Sequence, residues 1–216
     1  MTPAIGASWT AGVPPACTGF GAVEHRGWRS RGYLPHLDAA NLVQHIVFRL
    51  ADSLPSGIRA KIAKIPADDR VLAIDGALDR GHGRRDLANP LIGQLVQSAL
   101  LAFDGERYAL NAWCIMPNHV HTLVEIRPEH RLDQVVHSWK SYTAKQANRM
   151  LSRHGSFWAP EYFDRFMRDD QHLATTLAYI EENPVKAGLC AKTTDWQFSS
   201  AWNGWGGRDA RGPSRR

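Results

Sequence analysis

The sequence predicts an α+β fold in which strands and helices follow the order β-α-β-β-α-β, with an additional helix at the C-terminal end. Some segments alternate apolar and polar residues every two positions, as half-buried strands do. Others repeat apolar residues every three to four positions, as amphipathic helices do. A split β-α-β unit in this order closes into a ferredoxin-like antiparallel sheet with helices on one face. The other face of the sheet is then free to carry a functional site.

The first part of this unit is predicted to be a strand, a long connection and a helix. Residues 42–50 alternate in polarity and form the first strand. The connection covers residues 55–88, and its Gly- and Arg-rich end, residues 80–85, is typical of a mobile surface loop. Asn89 and Pro90 supply an N-cap and a first-turn proline for the helix that follows.

A hairpin and a second helix come next. Residues 108–116 and 119–126 form two antiparallel strands around a Pro-Asn turn. The second helix covers residues 132–151, and its periodicity predicts a buried stripe made of Val135, Val136, Trp139, Tyr142 and Met150.

The last strand and the third helix complete the predicted unit. Residues 162–168 form a short fourth strand, and Asp169 and Asp170 follow it as helix caps. The third helix is predicted to end at Asn183, because Pro184 disfavours helical geometry in the residue before it.

Length and composition indicate a single domain with irregular ends. The chain has 216 residues, of which 44% are hydrophobic and 22% charged, and this is enough for one core. Residues 1–25 are rich in Gly, Pro, Ala and Thr, and residues 203–216 are mostly Gly and Arg, so both are predicted to be disordered tails. The folded domain is then expected to cover residues 26–202.

The charge balance and the cysteines indicate which kinds of partner and which kinds of cysteine site to expect. A formal charge of +5 and a pI near 9.3 favour a polyanionic partner but are too mild to establish one. Cys17, Cys114 and Cys190 are widely spaced, which disfavours a disulfide framework or a cysteine zinc site. The sequence shows neither a long apolar run nor a secretory signal. We therefore expect a cytoplasmic, nucleoid-associated protein with no membrane partner.

Two histidines separated by one residue open the third strand. Side chains alternate between the faces of a strand, so His119 and His121 point to the same face. Two imidazoles on one face can bind one metal ion. Two solvated polar residues on a half-exposed strand would show the same spacing, and the motif alone leaves both interpretations open.

The third helix carries a polar stripe that includes Tyr179 and Asn183, one helical turn apart. The amide oxygen of Asn183 suits Mg²⁺ or Mn²⁺, and with His119 and His121 it would make a three-residue metal site that leaves positions for water or phosphate oxygens. A tyrosine at the edge of the core and an asparagine at a helix end would have the same spacing, so the pattern does not decide between a site and ordinary structure.

Cations alternate with aromatic residues near the start of the predicted domain, in a stretch too irregular for a helix. Arginine can pair with phosphate, and aromatic rings can stack on unpaired bases. The candidate nucleic-acid contacts are Arg26, Arg29, Arg31, Tyr33 and His36, together with Lys140 and Lys145 on the basic face of the second helix. A basic linker packed against the domain would have a similar composition.

Five sequence motifs together resemble a known family. They are PNHVH, WKSYTAK, YFDRFMRD, YIEENPVKAGL and DWQFSSAW. Their order is similar to that in REP-associated tyrosine transposases, relatives of the single-tyrosine HUH transposases of small insertion sequences. The resemblance covers about residues 28–202, and the motifs are specific in combination although each is weak alone.

The resemblance implies roles for the candidate residues. His119 and His121 match the metal-binding His-hydrophobic-His motif, Asn183 matches the third protein ligand, and Tyr179 matches the nucleophile. The stretch from Arg26 to His36 corresponds to an arm that reads a short single-stranded guide sequence beside a DNA hairpin.

The implied activity is cleavage and transfer of single-stranded DNA at hairpin-forming repetitive extragenic palindromes, through a 5′-phosphotyrosine intermediate. Mg²⁺ or Mn²⁺ is the implied cofactor, and the protein would act as a monomer or homodimer. Two other functions remain open from the residues: a metal-dependent phosphodiesterase that uses water, and a catalytically idle regulator that binds DNA hairpins.

Overall fold

The computed structural model describes residues 24–30, 35–65, 73–74 and 76–205. Its helices and strands are β1 Glu24–Ser30, β2 Pro35–Ala40, β3 Val43–Leu50, α1 Ser56–Ala63, α2 Pro90–Leu101, β4 Tyr108–Ile115, β5 His119–Ile126, α3 Leu132–Met150, β6 Trp158–Phe166 and α4 Asp170–Lys186. In the described part of the chain, no helix is long and apolar enough to cross a membrane.

The predicted tails lie mostly outside the described residues. Strand β1 begins at Glu24, slightly before the predicted start of the domain, and residues 203–205 form a single 3-10 turn rather than part of a disordered tail. The described residues therefore extend a little beyond residues 26–202 on both sides.

Strands β3 to β6 form one antiparallel sheet in the order β4-β5-β3-β6. This is the predicted ferredoxin-like arrangement, so the predicted α+β fold is confirmed. Strand β5 is an interior strand, in which His119 lies opposite Arg49 of β3, and His121 lies between Val47 of β3 and Cys114 of β4. The two histidines are therefore supported by neighbouring strands on both sides.

The two faces of the sheet carry different layers. Helices α2 and α3 cover one face, where Phe48 and Val120 join the main core. Helix α4 packs on the opposite face, where Ile180 contacts a smaller cluster that includes Cys114 and Leu123. Since both faces are covered, nearly every residue of β5 is buried. The face expected to carry the site is thus partly covered by α4.

Helix α3 differs from the prediction at two positions. Tyr142 is 53% exposed and Met150 is 47% exposed, so the prediction that both are buried is wrong. The buried stripe instead consists of Leu132, Val135, Val136, Trp139, Thr143 and Ala147. Neighbouring residues on a helix are rotated by roughly 100°, which turns Tyr142 away from the sheet when Thr143 faces it. Met150 lies beyond the last buried residue of the helix.

The boundaries of β6 and α4 also differ from those predicted. Strand β6 begins at Trp158 rather than at residue 162. Helix α4 begins as expected, since the side chain of Asp169 accepts a hydrogen bond from the His172 N–H at 2.7 Å. It continues through Pro184 to Lys186, because a proline in the last turn removes few helical hydrogen bonds and the Ala187 N–H still donates to the Asn183 carbonyl at 2.9 Å.

The described parts of the basic-aromatic stretch, up to Ser30 and from Pro35, belong to a two-stranded antiparallel ribbon formed by β1 and β2. His36 of β2 is only 5% exposed. Its Nδ1 is hydrogen-bonded to Asp164 of β6, its Nε2 lies 3.5 Å from a carboxylate oxygen of Glu161, and its ring stacks on Tyr162 at 4.2 Å between centroids. The expectation that His36 contacts DNA directly does not fit this burial, and the side chain instead joins β2 to the main sheet.

The ion pair of His36 is expected to make stability depend on pH. Burial lowers the pKa of His36, but the hydrogen bonds and charges of Asp164 and Glu161 outweigh burial and raise the pKa above 6.5. Protonated His36 therefore contributes its full stabilisation of the fold at pH values below its pKa in the unfolded state. This stabilisation is lost as the pH rises through its pKa in the folded state.

We therefore expect His36→Gln to lower the free energy of unfolding by roughly 1–3 kcal/mol at pH 6, and by less at pH 8.5. Urea denaturation at both pH values measures the difference, with His137→Gln on the exposed side of α3 as the control. Equal losses at the two pH values would show that the charge on His36 does not contribute.

Candidate active site

Four residues predicted to share a site lie together between β5 and α4. The Nε2 atoms of His119 and His121 are 2.8 Å apart. The amide nitrogen of Asn183 is 3.1 Å from His121 Nε2, and the ring of Tyr179 meets that of His121 edge to face, with 5.7 Å between centroids. The strand repeat places His119 and His121 on one face, and the helix repeat places Tyr179 and Asn183 one turn apart. The packing of α4 on β5 then brings the two pairs together.

Asp79 also contacts this cluster, although it was not predicted from the sequence. Its Oδ1 lies 3.4 Å from His119 Nε2, and its Oδ2 accepts a hydrogen bond from the Tyr179 hydroxyl at 3.2 Å. Asp79 belongs to a short helical segment, residues 76–79, inside the long connection. It is one of 21 acidic residues and lies in no motif, so nothing in the sequence distinguished it.

Asn118 determines which nitrogen of His119 faces the site. The amide nitrogen of Asn118 donates to the backbone carbonyls of Leu78 and His82 at 3.2 and 3.0 Å. Its oxygen must therefore face His119 Nδ1, 2.6 Å away, which donates the hydrogen bond. In the neutral imidazole with this proton position, the lone pair of Nε2 points toward His121 and Asp79.

His45 supports the second histidine in the same way. Its Nε2 lies 3.0 Å from His121 Nδ1, and the two rings are stacked at 5.2 Å between centroids. A ring nitrogen that is hydrogen-bonded behind the site orients the opposite nitrogen toward it, as the outer partners of metal-binding histidines do. The predicted alternation along β3 thus places a polar side chain, His45, beside His121.

The arrangement of acceptor atoms fits a cation. Asp79, His119 and His121 each offer a ligand atom within 4.8 Å of the others. Asp79 Oδ1 is buried and has no hydrogen-bond partner. Three electron-rich atoms facing one another need a proton or a metal ion between them, and Asn183 can turn its amide oxygen toward the same place.

Burial and charge set the protonation of two of these groups. Burial, with a further contribution from the charge of His119, holds the pKa of His121 well below 6.5, so its imidazole is neutral and can act as a ligand. Burial would raise the pKa of Asp79, but the neighbouring His119 and His121 and the hydrogen bond from the Tyr179 hydroxyl outweigh burial and lower the pKa overall. Asp79 is therefore an ionised carboxylate at neutral pH.

Comparison with known proteins shows which family residues 91–183 resemble. Residues 91–183 match the family model described as transposase IS200 like, and the match includes His119, His121, Tyr179 and Asn183. The match covers less than half of the chain, and we call residues 91–183 the IS200-like domain for this similarity alone. The resemblance inferred from the sequence motifs is thereby confirmed.

Two curated relatives of the IS200-like domain are named REP-associated tyrosine transposases. The protein of Haemophilus influenzae is 32% identical over 100 residues, which cover 41% of this chain and 56% of the relative. The protein of Escherichia coli K12 is 25% identical over 108 residues, which cover 50% of this chain and 63% of the relative. The chain therefore matches less than two thirds of the length of either relative.

A solved structure supports the shared fold. It is described as a REP-associated tyrosine transposase bound to a REP hairpin, and it matches with a TM-score of 0.51 and 18% sequence identity. The match covers 80% of this chain and 81% of that chain. At this level of identity the likeness concerns the fold of the IS200-like domain and the elements that precede it.

The predicted DNA contacts are less well defined than the cluster between β5 and α4. Arg26 and Arg29 belong to β1, whereas Arg31 and Tyr33 lie outside the described residues. Lys145 is exposed on α3 of the IS200-like domain. Lys140 donates to the backbone carbonyls of residues 159 and 160 of β6, at 2.8 and 2.7 Å, so it joins α3 to the edge strand of the sheet.

The Gly- and Arg-rich end of the long connection is packed rather than free. Asn118 holds the carbonyls of Leu78 and His82, and the Leu87 N–H donates to the Pro117 carbonyl at 3.1 Å. Gly83 has φ +72°, and a Cβ there would lie 2.2 Å from a backbone carbonyl oxygen of residue 52. The segment lies at the surface as predicted, with Arg80, Arg84 and Arg85 exposed, and backbone contacts anchor it to the turn before His119.

Proposed function

We propose that this chain is a metal-dependent transposase that cleaves and rejoins single-stranded DNA at hairpin-forming REP palindromes. The observation that carries the proposal is the position of the Tyr179 hydroxyl, which is hydrogen-bonded to the half-buried Asp79 beside two buried histidines, in a group of side chains that could hold a metal ion. A hydroxyl nucleophile beside two imidazoles and a carboxylate suits phosphoryl transfer.

His119, His121, Asp79 and Asn183 are the residues that would hold the metal ion. The oxygen atoms of Asp79 and Asn183 favour a hard cation such as Mg²⁺ or Mn²⁺, and the imidazoles favour Mn²⁺ more than Mg²⁺. When bound there, the cation would neutralise charge on the scissile phosphate and polarise it toward attack. His45 and Asn118 would keep the two imidazoles in the required orientation.

Tyr179 would act as the nucleophile. Its phenolic oxygen forms a bond to phosphorus as the bond from phosphorus to the 3′ oxygen breaks, which leaves a 5′-phosphotyrosine and a free 3′-hydroxyl. A phenol with a pKa near 10 is ionised in only about one molecule in a thousand at pH 7, so the orientation of the hydroxyl by Asp79 is important. The new ester retains the free energy of the original one, and another 3′-hydroxyl can reverse the step without a nucleotide cofactor.

A strand-cleavage assay tests the proposal directly. A single-stranded REP hairpin with its flanking sequence, labelled 3′ of the expected cut, is incubated with the protein and Mg²⁺ or Mn²⁺, and the products are separated on a denaturing gel. We expect a slowly migrating protein-DNA adduct that is absent with EDTA. Cleavage without any adduct would instead indicate a phosphodiesterase that uses water, and binding without cleavage would indicate a regulator.

We also propose that the arm formed by β1 and β2 recognises the single-stranded flank of the hairpin. The ribbon carries Arg29 and leads to Arg31, and unpaired bases expose both stacking faces and hydrogen-bonding edges. Replacing both arginines with glutamine is expected to weaken binding to a flanked hairpin by about tenfold and binding to plain duplex by less. Fluorescence anisotropy with the two substrates measures this difference. An equal loss on both would make the arm a nonspecific phosphate contact.

A further inference from the structure

A small cleft opens beside the candidate active site and is not used by the chemistry proposed above. Its volume is about 100 Å³. Residues 78–81, Arg85, residues 116–118, Ala187 and Leu189 line it. Asp79 and Asn118 belong both to this cleft and to the cluster around His119, so the cleft is continuous with the catalytic residues.

The cleft carries two arginines that have no carboxylate partner. Within the described residues, neither Arg80 nor Arg85 forms an ion pair, and both side chains are exposed. Arg84, which lies between them in the sequence, instead pairs with Asp86 at 3.2 Å and with Asp52 at 3.6 Å. The same short loop therefore contains two available cations at the cleft and one that is neutralised within the protein.

The loop that carries these arginines is held in place relative to the catalytic residues. The Gly81 N–H donates to the Leu78 carbonyl at 2.8 Å, and the Asn118 amide donates to the carbonyls of Leu78 and His82. Asn118 also orients His119, so one side chain contacts both the backbone of this loop and the histidine pair. A group bound at the cleft would therefore lie beside Asp79, which holds the Tyr179 hydroxyl.

We propose that this cleft binds a backbone phosphate of the single-stranded DNA, adjacent to the phosphate that Tyr179 attacks. Guanidinium groups bind phosphate with two parallel hydrogen bonds. The cleft is well below the roughly 300 Å³ of typical ligand pockets, so it suits a phosphate group and not a nucleotide base. The Asp79 carboxylate also lines the cleft and repels a bound phosphate, which would therefore lie closer to the two arginines than to Asp79.

This inference rests on the proposed function but concerns residues that precede the matched IS200-like domain, which begins at residue 91. The long connection would thus contribute both Asp79 and a phosphate subsite to the transposase chemistry. Because a phosphate contact is independent of base sequence and of cleavage, it can be tested without the natural hairpin and without a divalent cation.

The test measures binding of a fluorescent oligothymidylate of about 20 nucleotides to the full chain by anisotropy, in EDTA, over a series of salt concentrations. The double variant Arg80→Gln/Arg85→Gln is compared with wild type and with Arg84→Gln as the matched control. We expect the dissociation constant of the double variant to rise about tenfold. The slope of log K against log salt should decrease in magnitude by about 0.7, the value for one phosphate in a single strand. Arg84→Gln should resemble wild type in both quantities.

The other outcomes separate the two proposals. If the double variant keeps the affinity and salt slope of wild type while wild type forms the adduct, the cleft is not a phosphate site. The proposed transposase function would then still hold. An equal loss of affinity in Arg84→Gln would show that the effect depends only on the overall charge of the protein. That result would also contradict the proposed phosphate site. If wild type neither binds the oligonucleotide nor forms an adduct with any REP hairpin, both proposals fail. Circular dichroism spectra and melting temperatures of the variants confirm that they are folded.

Discussion

Replacing Tyr179 with phenylalanine is expected to abolish strand cleavage and the covalent protein-DNA product, with cleavage reduced by at least about a thousandfold, while hairpin binding is retained. The substitution removes only the hydroxyl that donates to Asp79, and the ring can still pack against His121. Binding should change little because the proposed DNA contacts lie on β1, on the loop at residues 80–85 and on α3.

The measurement is the denaturing gel described above, performed in parallel with anisotropy on the same hairpin. Tyr142→Phe is the matched control, because Tyr142 is 53% exposed on α3 and an exposed tyrosine is otherwise a plausible competitor for the role of nucleophile. We expect Tyr142→Phe to form the adduct at the wild-type rate. An adduct that persists in Tyr179→Phe would falsify the assignment and direct attention to another tyrosine.

Replacing either His119 or His121 with alanine is expected to abolish cleavage and to weaken binding of the metal ion by at least about a hundredfold. Each substitution removes one imidazole from the group that also contains Asp79, and the remaining acceptor atoms no longer surround a cation. His121→Ala also removes the partners of His45 and Asn183, so we expect it to lower stability more than His119→Ala does.

Isothermal titration with Mn²⁺ measures metal binding independently of activity, and melting curves check that the variants are folded. His137→Ala is the control, since His137 is exposed on α3, which packs on the face of the sheet opposite to α4. We expect wild type and His137→Ala to bind Mn²⁺ with equal affinity and to lose all cleavage in EDTA. Cleavage that continues unchanged in EDTA would exclude a role for the metal, whatever the histidine variants show.

Asp79→Asn separates the contribution of the carboxylate from that of the histidines. Its Oδ1 has no hydrogen-bond partner and faces His119, whereas its Oδ2 holds the Tyr179 hydroxyl. We expect the amide to keep a polar contact with Tyr179 but to weaken Mn²⁺ binding by about tenfold, because a neutral oxygen is a weaker ligand for a hard cation. Unchanged Mn²⁺ affinity would restrict Asp79 to positioning the nucleophile.

Local periodicity was sufficient to predict most of the fold and the central pairs of the site. A strand repeats every two residues, which alone places His119 and His121 on one face. A helix repeats every 3.6 residues, which alone places Tyr179 and Asn183 one turn apart. Turn and cap residues predicted the hairpin before His119 and the start of α4, because these signals act over a few neighbouring residues.

Only the tertiary structure decided which distant residues meet these pairs. Asp79 reaches His119 because Asn118 and Leu87 anchor the long connection to the turn, and these contacts join residues about 30 to 40 positions apart. His36 is buried because Asp164 of β6 lies beside it, and Tyr142 is exposed because α3 meets the sheet through a neighbouring line of residues. Periodicity determines which side chains share a face, but the packing of one element on another determines what that face touches, and this depends on contacts that no local pattern encodes.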